Sequence, residues 1–273
     1  MSRSAAIDSK RSTPAQGLKI RPALLRGLAI PVVLLAGLEI AGRAGWVPGY
    51  LMPMPSDLLV TLLELAEGPL WKHITASTLR VAAGFGIGAL LALVFGAWVG
   101  LSTLAEDYIE PIFQALRAVP GLAWVPLLLI WLGIDETSKI TLIAIGSFFP
   151  VYMNLVAGIR NVDRKLVEVG TMYGFRRFDL VRKIFIPAAK PYLFTGLRNG
   201  LSMAWLCVVA AELLAATQGI GYLLTDGREV SRPDLVLVAI VALAAMGKLS
   251  DSLLKYWESR SLSWRDAFTG EHS

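Results

Sequence analysis

Charge is scarce in this chain. Asp, Glu, Lys and Arg make up only 17% of its 273 residues, against about 25% in a typical soluble domain. Sulfur and imidazole are scarcer still. The single cysteine, Cys207, excludes an intrachain disulfide. The two histidines, His73 and His272, stand far apart without a second ligand cluster, so no metal site is expected. Several signatures of chemistry are also missing. No G-x-x-x-x-G-K-[ST] run is present to cradle a triphosphate, no H-E-x-x-H and no G-x-S-x-G. The run GFGIG at 84–88 lies inside an apolar stretch and no Lys-Ser or Lys-Thr follows it. It is not read as a nucleotide loop. An intramembrane enzyme would need a nucleophile with its base, or a metal constellation, and neither is apparent.

What the chain has instead is uninterrupted apolar length. Val81–Ala105 runs 25 residues without a charge and Ile140–Ile159 runs 20. About 20 apolar residues span a bilayer as a helix. Six spans are predicted, at about 23–41, 81–104, 110–133, 138–159, 190–214 and 234–254. Between the first two, Pro48, Pro53 and Pro55 precede a segment that reads as an amphipathic surface helix. Residues 2–21 are polar and basic, with no apolar core or A-x-A site of a cleavable signal. The first span is therefore expected to stay as an anchor behind a disordered cytoplasmic tail. The domain reading is a polar tail (1–22), a first span with an interfacial segment (23–72), the main transmembrane domain (73–257) and a cytoplasmic C-terminal tail (258–273).

The formal charge of +5 is better explained by topology than by nucleic acid. With both termini inside, the inner segments hold nineteen basic residues and the outer segments six. That asymmetry follows the positive-inside rule. Some charges fall within or near spans. Arg117 and Lys248 are close enough to span ends to snorkel. Arg198, Glu212 and Asp251 should face protein or an aqueous path, because a charge at mid-membrane costs about 2.5–3.5 kcal/mol on insertion scales. Gly84, Gly88, Ala92, Gly96 and Gly100 recur every fourth residue, as do Gly196, Gly200 and Ala204. Each set makes a smooth stripe on which another helix can pack closely.

The densest basic segment is Arg160–Lys190, with eight Lys and Arg. Asp163 is a plausible N-cap there. Leu166, Val169, Gly170 and Tyr173 follow at helical spacing on one face, and Gly174 stands where a helix would end and reverse. A second short helix is expected from Phe178, with Val181 and Ile184 on one side and Pro187 opening the next span. Such a pair suits a plug for another protein's groove or a surface element resting on anionic headgroups.

The spacing Glu168, Gly174, Ile184, Ile186, Pro187 resembles the pattern E-A-A-x-x-x-G-x9-I-x-L-P of ABC importer permeases. Val169 and Gly170 stand where that pattern has alanines, and Ile186 where it has leucine. The segments at 117–140, 150–163, 212–224 and 236–251 resemble nitrate, sulfonate and taurine permeases, aliphatic sulfonate permeases most of all. The resemblance covers about residues 45–265. It implies an all-α, polytopic type I importer permease fold in the bacterial inner membrane, with roles in transport and sulfur metabolism. The implied partners are a dimer of ABC ATPase subunits, a second permease copy, a periplasmic substrate-binding protein and lipid, with no nucleic acid. ATP and Mg would sit on the ATPase, none on this chain.

By the same resemblance, Asp163, Leu166, Glu168, Val169, Gly170, Tyr173, Gly174, Ile184 and Pro187 would couple the chain to the ATPase, with Glu168 held by hydrogen bonds or a nearby Arg. Candidates for the translocation path are Trp131, Arg198, Asn199, Ser202, Trp205 and Glu212, with Arg198 a possible partner for a sulfonate. Taurine, nitrate, bicarbonate or a thiamine precursor are alternative cargoes. An ion-driven secondary transporter predicts inverted repeats, which the two halves do not display.

Overall fold

The computed structural model describes residues 22–262 apart from 47, 50 and 51, and side chains from residue 29 onward. Residues 1–21 of the expected N-terminal tail, the Arg26 side chain and residues 263–273 of the expected C-terminal tail lie outside what is described. Two compact units divide the chain at Ser56. The first holds α1 (Pro22–Arg43), which contains the first expected span. Its Glu39 accepts hydrogen bonds from Arg43 Nε (2.8 Å) and the Ser56 N–H (3.1 Å).

Ten further α-helices follow among the described residues, the first of them crossing the boundary at Ser56. These are α2 (Pro55–Ala66), α3 (Leu70–Leu101), α4 (Thr103–Ala118), α5 (Val125–Leu132), α6 (Glu136–Arg160), α7 (Arg164–Met172), α8 (Arg177–Leu180), α9 (Ile186–Ala215), α10 (Ile220–Glu229) and α11 (Pro233–Ser261). A 3₁₀ turn (Gly121–Trp124) precedes α5, and a π turn (Val181–Phe185) joins α8 to α9. No strand occurs among the described residues. Among the described residues, four helical segments are long and apolar enough to cross a membrane: α3, α6, the continuous path Arg177–Ala215, and α11.

The predicted third span, 110–133, is not one straight helix. Helical structure starts at Thr103, capped by Ser102 Oγ accepting from the Ala105 N–H (3.3 Å). The path then bends by 89° between α4 and the turn that leads into α5. Pro120 explains the break. It disfavours α geometry at the residue before it, and Val119 is extended, with φ −76° and ψ 119°. The second span also begins earlier than predicted, at Leu70 rather than 81. Lys72, His73 and Arg80 therefore belong to a long helix, not to its approach.

Helix α6 is the axis of the second unit. The first glycine stripe lies against one side of it. A methyl group at Gly84 would come within 2.9 Å of the Ile140 carbonyl oxygen, and at Gly88 within 2.5 Å of that of Ala144. Gly96 and Gly100 meet Leu155 and Ile159. The second stripe lies on another side, where a methyl at Gly200 would stand 3.0 Å from the Ser147 carbonyl oxygen. Helix α6 answers with small residues of its own, since Gly146 faces Cys207 and Gly158 faces Tyr192. Backbones meet where hydrocarbon side chains are absent, so dispersion contacts replace the hydrophobic effect that lipid cannot supply. An edge-to-face aromatic set (Phe95, Phe113, Phe148, Tyr152) packs α4 against α3 and α6.

Candidate functional site

The Arg160–Lys190 loop is built from two short helices pressed together. Asp163 Oδ1 accepts the Lys165 N–H at 2.9 Å and starts α7. The other end closes by two backbone bonds. The Phe175 N–H reaches the Gly170 carbonyl and the Gly174 N–H reaches that of Thr171, both at 3.0 Å. This is the Schellman arrangement, and it requires a left-handed residue just past the helix. Gly174 supplies it with φ +75°. The chain then re-enters a helix at Arg177. The π turn at Val181–Phe185 precedes Pro187. Proline has no N–H for an intrahelical bond, and a π turn absorbs such a mismatch in register.

Gly170 does not share the outward face with Leu166, Val169 and Tyr173 as the sequence pattern predicts. It is buried, and a methyl there would lie 2.7 Å from Ile184 Cδ1 and 2.8 Å from Leu180 Cδ2. Consecutive helical residues are about 100° apart, so Val169 and Gly170 part company. Gly170 lets Leu180 of α8 and Ile184 of the π turn pack against α7. The remaining apolar residues are uncovered: Leu166, Val169, Met172, Tyr173 and Phe178 are all exposed, Met172 to 87%. Around them stand Arg164, Lys165, Arg176, Arg177, Arg182 and Lys183, also exposed. Glu168 is exposed too, and its carboxylate has no hydrogen bond or ion pair among the described residues. The expected intrachain arginine partner is absent there. An apolar tip with a basic rim and a free carboxylate is suited to a complementary protein groove.

Within the spans, the charged residues fall into distinct settings. Arg198 does not offer a free cation. Its Nε and Nη2 bond Asp251 at 2.7 and 3.2 Å, and Glu258 lies 3.7 Å from Nη1. Two carboxylates around one guanidinium tie α9 to α11 and would repel an anion. Glu212 is wholly enclosed, not part of an open path. Its oxygens accept from Ser77 Oγ (2.7 Å), Arg80 Nη1 (2.8 Å) and the Gly221 N–H (2.8 Å). Trp205 is also buried, its Nε1–H donating to Ser250 Oγ at 2.9 Å. Trp131, Asn199 and Ser202 are exposed.

The sequence pattern missed Arg80. Its side chain bonds Glu136 through Nε (2.6 Å) and Nη2 (2.7 Å), Glu212 through Nη1, and the Gln218 carbonyl at 2.6 Å. Lys139 Nζ adds a bond to Glu136 at 2.9 Å. Two cations and two carboxylates thus balance where α3, α6 and α9 converge. One signal pointed there: Arg80 lies four residues before Gly84, in register with the glycine stripe and therefore turned inward.

These features define a polytopic helical membrane protein whose spans are welded internally and whose basic loop is presented outward. The family described as binding-protein-dependent transport system inner membrane component matches residues 71–262. A permease of Bacillus subtilis (strain 168), named for aliphatic sulfonates transport, is 39% identical over 99% of this chain and 100% of its own length. The taurine transport system permease protein of Escherichia coli (strain K12) is 35% identical, over 78% of this chain and 80% of its own. The nitrate import permease protein of Leptolyngbya laminosa is 34% identical, over 71% and 69%. The chain belongs to the binding-protein-dependent transport system inner membrane component family, as an ABC importer permease of the sulfonate, taurine and nitrate group.

Proposed function

We propose that this chain is the permease of an importer for aliphatic sulfonates, working as a pair of copies with two ATPase subunits and a periplasmic binding protein. The observation that carries the reading is the Arg160–Lys190 loop. It has a rigid Schellman turn, a buried Gly170–Ile184 contact and an uncovered apolar tip, in a chain with no phosphate-binding loop of its own. In this reading both termini and that loop are cytoplasmic, as the distribution of Lys and Arg favours. Closure of the ATPase dimer pushes α7. Because α7 is locked to α8, and α8 runs on into α9, the push passes as a rigid displacement to the spans. Asp163, Gly170, Gly174, Ile184 and Pro187 hold the element in shape, while Leu166, Glu168, Val169 and Tyr173 face the groove. The spans then alternate between outward and inward openings, along a path drawing on Trp131, Asn199 and Ser202. ATP and Mg stay on the partner.

The sulfonate cargo is supported by the name of a relative that covers nearly the whole chain. Taurine, an aminosulfonate, is the second reading, and the taurine permease at 35% identity favours it. Two measurements test the proposal. In a pull-down with the ATPase and an ATP-driven uptake assay, Glu168→Arg and Gly174→Pro should abolish uptake and weaken capture. Unchanged capture and uptake would remove the coupling role. Growth on alkanesulfonates as sole sulfur source should require the chain, and growth of a deletion strain at the wild-type rate would exclude that cargo.

A further inference from the structure

The bend at Val119–Pro120 leaves a cavity of about 210 Å³ beside α6. Val119 and Trp124 from the bend, Phe149 and Met153 from α6, and Met203 from α9 form apolar walls. Arg117 is the one charged residue on the lining. Its depth follows from α6. Arg117 Nη1 contacts Met153 Sδ, and Met153 lies seven residues before Arg160, the end of that helix. At 1.5 Å per residue the guanidinium sits about 10 Å in along a helix of about 37 Å. With α6 centred on a hydrocarbon core about 30 Å thick, that depth falls inside the core, where a snorkelling side chain would turn toward the interface instead.

Among the described residues, two other arginines set among the spans are neutralised. Arg80 has Glu136 and Glu212, and Arg198 has Asp251 and Glu258. Arg117 is exposed and has no carboxylate partner among the described residues. An intramembrane cation without a counter-ion is costly to retain and marks a functional position. The neighbouring groove makes the contrast. It is larger, about 620 Å³, but has no charged residue on its walls, so it offers nothing to an anion.

We propose that the Arg117 cavity is a transient subsite for an organic monoanion with an apolar tail. A sulfonate head pairs with the guanidinium, whose planar fork suits two oxygens at once. The alkyl chain lies along Val119, Trp124, Phe149 and Met203. A single, open cation holds such a ligand weakly enough to release it, as a translocation step requires. The assignment rests on the sulfonate reading and locates the contact that reading lacks.

The test is uptake of alkanesulfonates of two to eight carbons by the complete importer, permease with ATPase and loaded binding protein, in vesicles. Arg117→Gln should lower uptake about tenfold or more. Arg117→Lys should restore part of the uptake. Met203→Phe should lower octanesulfonate uptake relative to ethanesulfonate by roughly fivefold, and this variant decides the matter if Arg117→Gln does not assemble. Uptake by Arg117→Gln equal to wild type, or an unchanged chain-length ratio in Met203→Phe, overturns the subsite. So does wild-type uptake that falls in vesicles without anionic lipid and loses nothing more in Arg117→Gln, because the guanidinium then serves a headgroup phosphate. Failure of the wild-type importer to move any sulfonate overturns the cargo reading itself, a result distinct from these.

Discussion

The two ends of α6 handle charge in opposite ways. At the Glu136 end, Arg80, Lys139, Glu136 and Glu212 meet one another, and Glu212 also takes a hydroxyl and a backbone N–H. Beyond the Arg160 end, six basic residues of the α7–α8 loop and the Glu168 carboxylate point outward beside uncovered Met172, Tyr173 and Phe178. One cluster consumes its own polarity, and the other leaves it on offer. Burial of charge is tolerable only when it is balanced and hydrogen-bonded, so the first cluster is a fastening among three helices. In the second, Lys183 pairs with Asp179 at 3.2 Å, while the other five basic residues and the Glu168 carboxylate have no side-chain ion pair among the described residues, which suits a surface for another molecule. The contrast suits the coupling role proposed above for the loop.

The largest effect should come from unbalancing the fastening. Glu212→Ala leaves Arg80 buried with less than its charge complement and should destabilise the protein by about 3–5 kcal/mol. Thermal unfolding in detergent, followed by loss of the monodisperse peak, measures it. The double variant Arg80→Met with Glu212→Met should recover much of that loss, because Glu136 keeps Lys139 as its partner. If the double variant were as unstable as the sum of the two single ones, the pair would be contributing independently and the balance argument would fall. A smaller cost is expected along the glycine stripe. Gly88→Ala brings a methyl to 2.5 Å from the Ala144 carbonyl oxygen, a backbone atom that cannot swing away. About 1–3 kcal/mol of overpacking should follow. Gly86→Ala on the same helix, with open space at its Cβ position, serves as the control and should be neutral.

How far these two regions could be read from sequence differs for physical reasons. Charge-free runs and four-residue glycine spacing are local patterns, so the long spans and the stripe facing α6 were legible. The loop's turn was legible too, because Asp163 and Gly174 carry cap chemistry in their own side chain or lack of one. The fastening was not. Arg80 finds Glu212 across 132 residues of sequence, and without that partner an arginine beside an apolar run reads as an outside charge. The break in the third span was signalled by Val119-Pro120-Gly121, but an apolar run on both sides outweighed it. Gly170 was misplaced because spacing alone assigns a face of about 100° and not the neighbour that covers it. Glu212 and Trp205 were offered to the path for the same reason: residue type indicates polarity or size, while enclosure depends on the fold.

The smallest effect on stability should come from the loop, where function should suffer most. Met172 and Tyr173 are exposed to 87% and 79%, and Tyr173 contributes to α7 only through its backbone N–H, bonded to the Val169 carbonyl at 3.0 Å. Replacing both with serine removes apolar surface that touches little else in the chain. Surface changes of this kind stay within about 0.5 kcal/mol, so the melting temperature of the isolated permease should hardly move. Capture by the ATPase, in contrast, should drop roughly tenfold or more, because exposed aromatic and methionine anchors carry a large share of interface energy. The measurement is one melting curve and one pull-down on the same preparation. Loss of both together would mean that the tip is structural and that the two ends of α6 are alike after all. Loss of capture alone would set the outward end apart as the surface that a partner reads.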